Sequence, residues 1–345
     1  MSSVLVPPYR LPDRNRRVVL VRRPTSIPGP DDFVQDETPL SIVEDGKFRV
    51  RNIYLSVDPA QRGWACDETN YAPPVPVGTV MRALAVGIVV ESRHDDFPVD
   101  SFVYGWMGWQ DYAVIGPSEV LTRFAAPSVP LSAYAGVLGI NGLTAYLAFT
   151  DLGRPAQKET VLVSTAAGAV GSIVGQLARD AGCKTVGLTS DDIKVKRCLD
   201  RYGYTIAINY KAAPPAELLS ENVPDGVDIF FDNVGGHILD AALRVMRPAG
   251  RVVQCGTASV PSWSLPPYGL RNEREVLMRR LTWSGFIIFD HKDRFSALLD
   301  MLASKIQNGS LVYEEDVSVG IQCAPSAIQR LYAGANSGKT LILID

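Results

Sequence analysis

Glu159-Thr-Val-Leu-Val-Ser-Thr-Ala-Ala-Gly-Ala-Val-Gly-Ser172 decides how this chain is read. An apolar strand, Val161 to Val163, runs into a turn of very small residues. The turn opens a helix whose apolar positions Val170, Ile173, Val174, Leu177, Ala178 and Ala181 recur at helical spacing. A pyrophosphate can sit at such a junction, because the helix N-terminus offers unpaired N–H groups and small residues let the backbone come close. The usual fingerprint is G-x-G-x-x-G. Here Ala166 takes the first glycine's place, while Gly168 and Gly171 keep the second and third.

Glycine spacing alone is weak, since many ordinary loops match it. The surrounding alternation of strand and helix is what gives it weight. Lys184 to Thr189 reads as a second strand, followed by a helix around Lys194 to Tyr202. Thr205 to Asn209 and Val227 to Phe231 read as the third and fourth strands. A helix from Ile238 to Met246, a Pro248-Ala-Gly250 turn and a fifth strand, Arg251 to Gln254, follow; Leu281 to Phe289 supplies a sixth. These runs are β-branched, aromatic and largely uncharged, as strands covered by helices on both faces must be. The fold class is α/β, with a Rossmann-type doubly wound parallel sheet.

Working outward, 345 residues are too many for one ordinary core, so two domains are expected. Charged residues make up 21% and hydrophobic ones 46%, the balance of a globular protein in water. A net charge of −3 gives no sign of a nucleic-acid partner. The arginines at 10, 14, 16, 17, 22 and 23 could form a phosphate-binding arm or a transit peptide. Pro12, Asp13 and the strand-like Val18 to Val21 favour a solvated strand edge instead. No apolar run has the length of a membrane span and no secretory signal is visible, so the expected compartment is the cytoplasm. Five scattered cysteines without a C-x-x-C pair argue against a disulfide framework. Three dispersed histidines complete a set with no metal-ligand spacing, so no metal is expected.

The first ~130 residues differ in texture from the middle, which suggests a domain boundary. Short β-like runs (Val18 to Val21, Phe48 to Leu55, Val86 to Glu91, Phe102 to Tyr104, Asp111 to Ile115) are separated by Pro and Gly turns. The Pro-rich pieces Tyr71 to Gly78 and Pro261 to Tyr268 are excluded from central strands and read as cleft-edge loops or ordinary surface loops. Arg294 to Lys305 reads as an amphipathic helix. The tail then returns to short β-like pieces, ending in Lys339 to Ile344.

Several motifs in order carry a family resemblance. They are Tyr54-Leu-Ser-Val-Asp-Pro59 with Arg62-Gly63, Leu138-Gly-Ile-Asn-Gly-Leu-Thr-Ala-Tyr146, Val163 to Ser172, Asn209-Tyr-Lys211, Asp232-Asn-Val-Gly-Gly236, Gly285-Phe286 and Gly334-Ala-Asn-Ser-Gly-Lys339. Together they resemble the zinc-independent medium-chain dehydrogenase/reductases, in the branch of leukotriene B4 dehydrogenase/prostaglandin reductases, alkenal double-bond reductases and curcumin reductases. The resemblance implies a GroES-like β-barrel catalytic domain, residues 1–130 and 311–345, into which a Rossmann dinucleotide-binding domain, 131–310, is inserted. It also implies a homodimer with the sixth strands paired edge to edge; an open apolar edge from Thr282 to Phe289 would otherwise be a liability.

By the same resemblance the cofactor is NADPH. The end of the second strand carries Thr189-Ser190 rather than the carboxylate that binds NAD ribose hydroxyls. Lys194 and Tyr210 match positions that hold a 2′-phosphate. Asp191 and Asp192 would repel that phosphate if they pointed inward, and would cap the next helix if they did not. Ala167, Gly168, Ala169, Val170 and Gly171 are expected to cradle the pyrophosphate, with Asn233 and Val234 flanking the ribose. Thr144, Cys255, Gly256 and Phe286 correspond to the nicotinamide end. Asn336 corresponds to an asparagine reaching the cofactor from the other domain, or is simply a turn residue before Gly338. Cys255 has no basic neighbour in sequence and reads as packing rather than as a nucleophile.

The implied reaction is NADPH-dependent reduction of the C=C bond of an α,β-unsaturated aldehyde or ketone. Relatives usually place Tyr and Met where this chain has Ala60 and Gln61, and often a tyrosine where it has Ser259-Val-Pro-Ser-Trp263. Tyr71 and Tyr268 are the candidate replacements for catalysis, each on a candidate cleft loop. A carbonyl or quinone reductase on the same scaffold is the second reading, and a non-catalytic NADPH-binding protein the third.

Overall fold

The computed structural model describes residues 6–7, 11–68, 70–124, 126–259 and 272–345. Strands β1 (Arg14–Leu20) and β2 (Phe33–Pro39) form an antiparallel pair. They are followed by β3 (Phe48–Ser56), β4 (Leu84–Ser92), β5 (Phe102–Trp106), β6 (Tyr112–Ile115) and β7 (Val120–Phe124). Next come β8 (Thr160–Ser164), β9 (Lys184–Thr189), β10 (Ile206–Asn209), β11 (Val227–Asp232), β12 (Met246–Gln254) and β13 (Thr282–Gly285). The tail adds β14 (Glu315–Val319) and β15 (Lys339–Leu343).

The middle strands form one six-stranded parallel sheet in the order β10-β9-β8-β11-β12-β13. The chain steps outward from β8 to β10, then returns to the other side of β8, so the strand order reverses between β8 and β11. Ligands of doubly wound sheets bind outside the strand ends at that reversal. The sequence explains the packing. Every residue of β8 is buried, and Phe230 and Phe231 of β11 are inaccessible. Gly175 on the following helix, Gly171–Asp180, lets the Tyr204 ring lie against it; a Cβ there would stand 2.2 Å from that ring. The Tyr204 hydroxyl donates to the Gly171 carbonyl at 2.6 Å, tying the helix start to the edge of β10.

The second sheet has the order β14-β15-β3-β4-β5-β7, with β6 also pairing β3. It therefore joins early and late parts of the chain. Its core mixes Phe48, Val50, Leu55 and Trp64 with Ile321, Ile328 and Ile342 from the tail. A buried ion pair fastens this joint: Lys339 Nζ lies 2.7 Å from Asp58 Oδ1 and donates to the Val57 carbonyl at 2.8 Å. The Ser56 hydroxyl donates to the other Asp58 oxygen, and the Asn141 amide donates to Oδ1 at 3.3 Å. Burial lowers the Lys339 pKa and raises that of nearby Glu315. Both shifts have the cause expected of charges taken out of water.

Three expectations change. The Pro248-Ala-Gly250 turn lies inside β12 as an irregularity: Ala249 has φ +62°, and the β11–β12 register shifts between Val227 and Ile229. The sixth strand stops at Gly285, because Phe286 turns in to stack on His291 (5.0 Å between centroids) and a 3₁₀ segment, Ile288–Arg294, follows. The tail is not β-like throughout, since Ala324–Ala333 is a helix. Its signals are Pro325 in the first turn, apolar Ala324, Ala327, Ile328 and Leu331, and Gly334 at φ +70° closing the end. No helix among the described residues is long and apolar enough to cross a membrane.

Candidate active site in the interdomain cleft

At the end of β8 the backbone turns sharply, with Thr165 at φ +54°, a left-handed conformation unusual for a β-branched residue. The Gly168 N–H donates to the Thr165 carbonyl at 2.9 Å. A Cβ on Gly168 would meet Thr165 Cγ2 at 2.8 Å, and one on Gly171 would meet the Thr165 carbonyl oxygen at 2.3 Å. Both glycines are thus required by the turn. Ala166 in the first glycine's place is tolerated because its methyl faces Gly187 of β9, where a Cβ would be only 2.7 Å away. Among the described residues, the backbone N–H groups of Ala167, Ala169, Val170 and Gly171 find no acceptor in the protein. Donors without acceptors at a helix N-terminus suit a pyrophosphate, so the turn fits a dinucleotide. Gly171→Ala is expected to shift the Thr165 carbonyl and weaken NADPH binding by at least about tenfold, read by cofactor fluorescence titration.

Asp232, at the end of β11, holds this turn from beneath. It is inaccessible to solvent and accepts from the Ser164 hydroxyl (2.9 Å), the Val234 N–H (2.9 Å), the Gly235 N–H (2.9 Å) and the Gln254 amide (2.9 Å). Burial raises its pKa against these four donors. Asn233 adds two bonds to Ser164, from its backbone N–H to the hydroxyl and from its amide to the carbonyl, each 2.8 Å. One carboxylate therefore ties the ends of β8, β11 and β12 together where the strand order reverses. In sequence Asp232 stands within a motif, but no local pattern marks it as the tie between three strands.

Just past the end of β9, Asp191 caps the helix Asp192–Asp200: its carboxylate accepts from the Lys194 N–H at 2.8 Å. Asp192 instead accepts from the Asn209 amide at 2.8 Å. The Lys194 ammonium reaches the Ser190 hydroxyl at 3.3 Å and donates to the Gly334 carbonyl across the cleft. Tyr210, half-buried near Asp191, has a hydroxyl pKa raised by burial and by that acid.

On the other side of the strand-order reversal, Cys255 and Gly256 leave β12 with their N–H groups on the Asp232 carbonyl. Burial pushes the Cys255 thiol up to about 12, which suits packing and not nucleophilic chemistry. Val234 is half-buried beside the same turn, while Thr144 and Phe286 are buried. The Asn336 amide donates to Gly338 within its own turn at 2.8 Å.

Tyr71 is 43% exposed, and burial pushes its hydroxyl up to about 12, near Trp64, Asp58, Tyr332 and Arg82. A run of aromatic rings starts there: Tyr71 to Phe289 (6.4 Å between centroids), Phe289 to Trp106 (5.0 Å) and Trp106 to Trp64 (5.2 Å). Trp64, Trp106 and Phe289 were not singled out from sequence, because ring contacts between distant segments leave no local pattern. Tyr268 and Trp263 lie outside the described residues.

A doubly wound sheet with a pyrophosphate-sized turn, facing a β-rich domain across a cleft, defines a dinucleotide-dependent oxidoreductase. Residues 16–122 match the family model described as the N-terminal domain of oxidoreductase, and residues 169–304 match zinc-binding dehydrogenase. Among the described residues, no group of three or more His, Cys, Asp or Glu is placed to hold a metal ion. The chain is 35% identical over 336 residues to the NADPH-dependent curcumin reductase of Escherichia coli, covering 96% of this chain and 97% of that protein. It is 35% identical to the NADP-dependent 2-alkenal reductase of Nicotiana tabacum, with coverage of 96% and 98%. The crystal structure of CurA in complex with NADPH from Vibrio vulnificus superposes with a TM-score of 0.89 at 33% identity, covering 96% of this chain and 99% of that one. The chain belongs to the medium-chain dehydrogenase/reductase family, in its branch of NADP-dependent oxidoreductases.

Proposed function

We propose that this chain uses NADPH to reduce the C=C bond of α,β-unsaturated aldehydes and ketones. The observation that carries this reading is likeness over 87–96% of the chain to reductases named for such compounds: curcumin, 2-alkenals and, at 34% identity, (+)-pulegone. The aromatic run from Tyr71 to Trp64 supports it, because flat rings suit a planar conjugated substrate. NADPH, when bound, supplies the hydride.

The chain's own residues bind and orient. The turn Ala167 to Gly171 cradles the pyrophosphate, with the N–H groups of Ala167, Ala169, Val170 and Gly171 donating and Gly168 giving close approach, and Lys194 with Tyr210 takes the 2′-phosphate. Asn233 and Val234 flank the ribose. Thr144, Cys255, Gly256 and Phe286 surround the nicotinamide end, and Asn336 reaches the cofactor from the other domain. Tyr71 is the candidate proton donor within the described residues. A tyrosine hydroxyl is protonated at neutral pH, and burial raises its pKa further.

The test is NADPH oxidation against enals, enones, quinones and simple ketones, with products identified and NADH run in parallel. Saturated carbonyl products with NADPH preferred are expected. Alcohols or hydroquinones would instead make the chain a carbonyl or quinone reductase, and tight binding without oxidation a binding protein. A homodimer is proposed through β13, whose Trp283 is 40% exposed beside its single paired neighbour, β12. Light scattering on the eluting protein should give twice the chain mass.

A further inference from the structure

Arg62 sits on the short helix Ala60–Ala65, only 4% exposed, where that helix meets the turn after β12. Its guanidinium lies over the Tyr332 ring, 4.5 Å from the centroid. Nη2 donates to the Thr257 carbonyl of the opposite domain at 3.3 Å, and Nε is buried without a partner. Among the described residues no carboxylate lies within ion-pair distance, and the segments outside that description contain no Asp or Glu. An arginine carries five N–H donors and stays charged at any ordinary pH. Holding such a cation in a protein interior without a counter-ion is costly, and sites that tolerate this are commonly functional. The contacted Thr257 follows Cys255-Gly256, where the nicotinamide end is placed, so the charge stands beside the proposed reacting carbonyl.

We propose that Arg62 is a catalytic residue that stabilises the oxygen of the substrate as negative charge builds on it. The inference rests on the double-bond reading above. As the hydride and its electron pair form a C–H bond at the β-carbon, the C=C π pair shifts toward the carbonyl and leaves an enolate oxygen. Arg62 donates hydrogen bonds to that oxygen, and a proton from water or a tyrosine then forms the α C–H bond, giving the saturated carbonyl. Donors fixed before the charge appears lower the barrier most, because they need not reorganise.

The experiment uses the full chain with Arg62→Met and Arg62→Lys. With crotonaldehyde, a neutral enal, Arg62→Met is expected to lower kcat about a hundredfold, with KM and the NADPH Kd within about threefold. Arg62→Lys is expected to recover about tenfold of the loss. A readout independent of turnover is para-nitrophenol bound to the protein with NADP⁺. The wild type and Arg62→Lys should bind it as the coloured phenolate, and Arg62→Met should not. An unchanged kcat on crotonaldehyde would overturn the proposal. So would a KM increase confined to β-benzoylacrylate, which would make Arg62 an anchor for a substrate carboxylate. Parallel loss of NADPH affinity, unfolding midpoint and kcat, unrescued by lysine, would make it an interdomain strap. If the wild type yields alcohols, the double-bond reading fails alone, and the phenolate experiment still decides the role of Arg62.

Discussion

Lys194→Ala is expected to weaken NADPH binding about thirty- to a hundredfold while leaving NADH binding within about twofold. The side chain is 14% exposed and already directed into the cleft, held by Ser190 and the Gly334 carbonyl. Its nearest carboxylate, Asp191, pairs with it only loosely at 3.6 Å and is also committed to the helix cap, so the ammonium keeps donors for a phosphate. Burial tends to raise the Asp191 pKa, but the Lys194 N–H and ammonium outweigh it, so the acid is ionised and turned toward the helix N-terminus. A dianionic phosphate is therefore offered a poised cation, and NADH has no group there to lose. The loss should shrink at high ionic strength, as charge-assisted contacts near a surface do. Equal losses for NADPH and NADH, measured by fluorescence titration, would show that Lys194 only supports the fold through Gly334.

The largest expected effect on stability comes from the pair beneath β15. Lys339→Met leaves Asp58 buried without its cation and is expected to cost about 3–5 kcal/mol in urea unfolding. Asp58→Asn should cost a similar amount, by stranding the ammonium. The double substitution should recover more than half of the sum of the two losses, because a buried pair replaced as a unit is far less costly than a broken one. Additive losses would mean that the two side chains act separately, through the Val57 carbonyl and the Asn141 amide.

The doubly wound half was legible because buried parallel strands announce themselves as uncharged β-branched runs. β9 spans Lys184–Thr189 as read from sequence, and β11 and the helix Gly236–Val245 fall within two residues of expectation. The second half of the expected sixth strand was misread because Phe286, Ile287, Ile288 and Phe289 are as apolar as a strand. Only the Phe286–His291 stack shows why the chain leaves the sheet. The phosphate turn could be located from small residues alone. The reason for Ala166 needed Gly187 opposite, a partner 21 positions away on another strand. Whether Asp191 faced the cofactor or capped a helix was a question of a single rotamer, which sequence does not encode. Arg62 was visible as part of a motif. Its significance lies in the carboxylate that is missing around it, and only three-dimensional proximity reveals such an absence.

The placement of β15 has a consequence for how the chain is made. It pairs with Tyr54, Leu55 and Ser56 of β3, while β4 occupies the opposite edge of that strand. The stretch of β3 that β15 will cover stays unpaired until the ribosome has delivered residues 339–343. At about 5–20 residues per second, the roughly 280 intervening residues take on the order of 15–60 seconds to synthesise. The nucleotide-binding sheet can close during that interval, because all its strands are contiguous in the chain. The other sheet waits with an exposed, apolar strand edge, the kind of surface that nascent-chain chaperones cover. A stall or truncation just before Lys339 would thus release a protein whose dinucleotide domain is complete and whose substrate-facing half is still open.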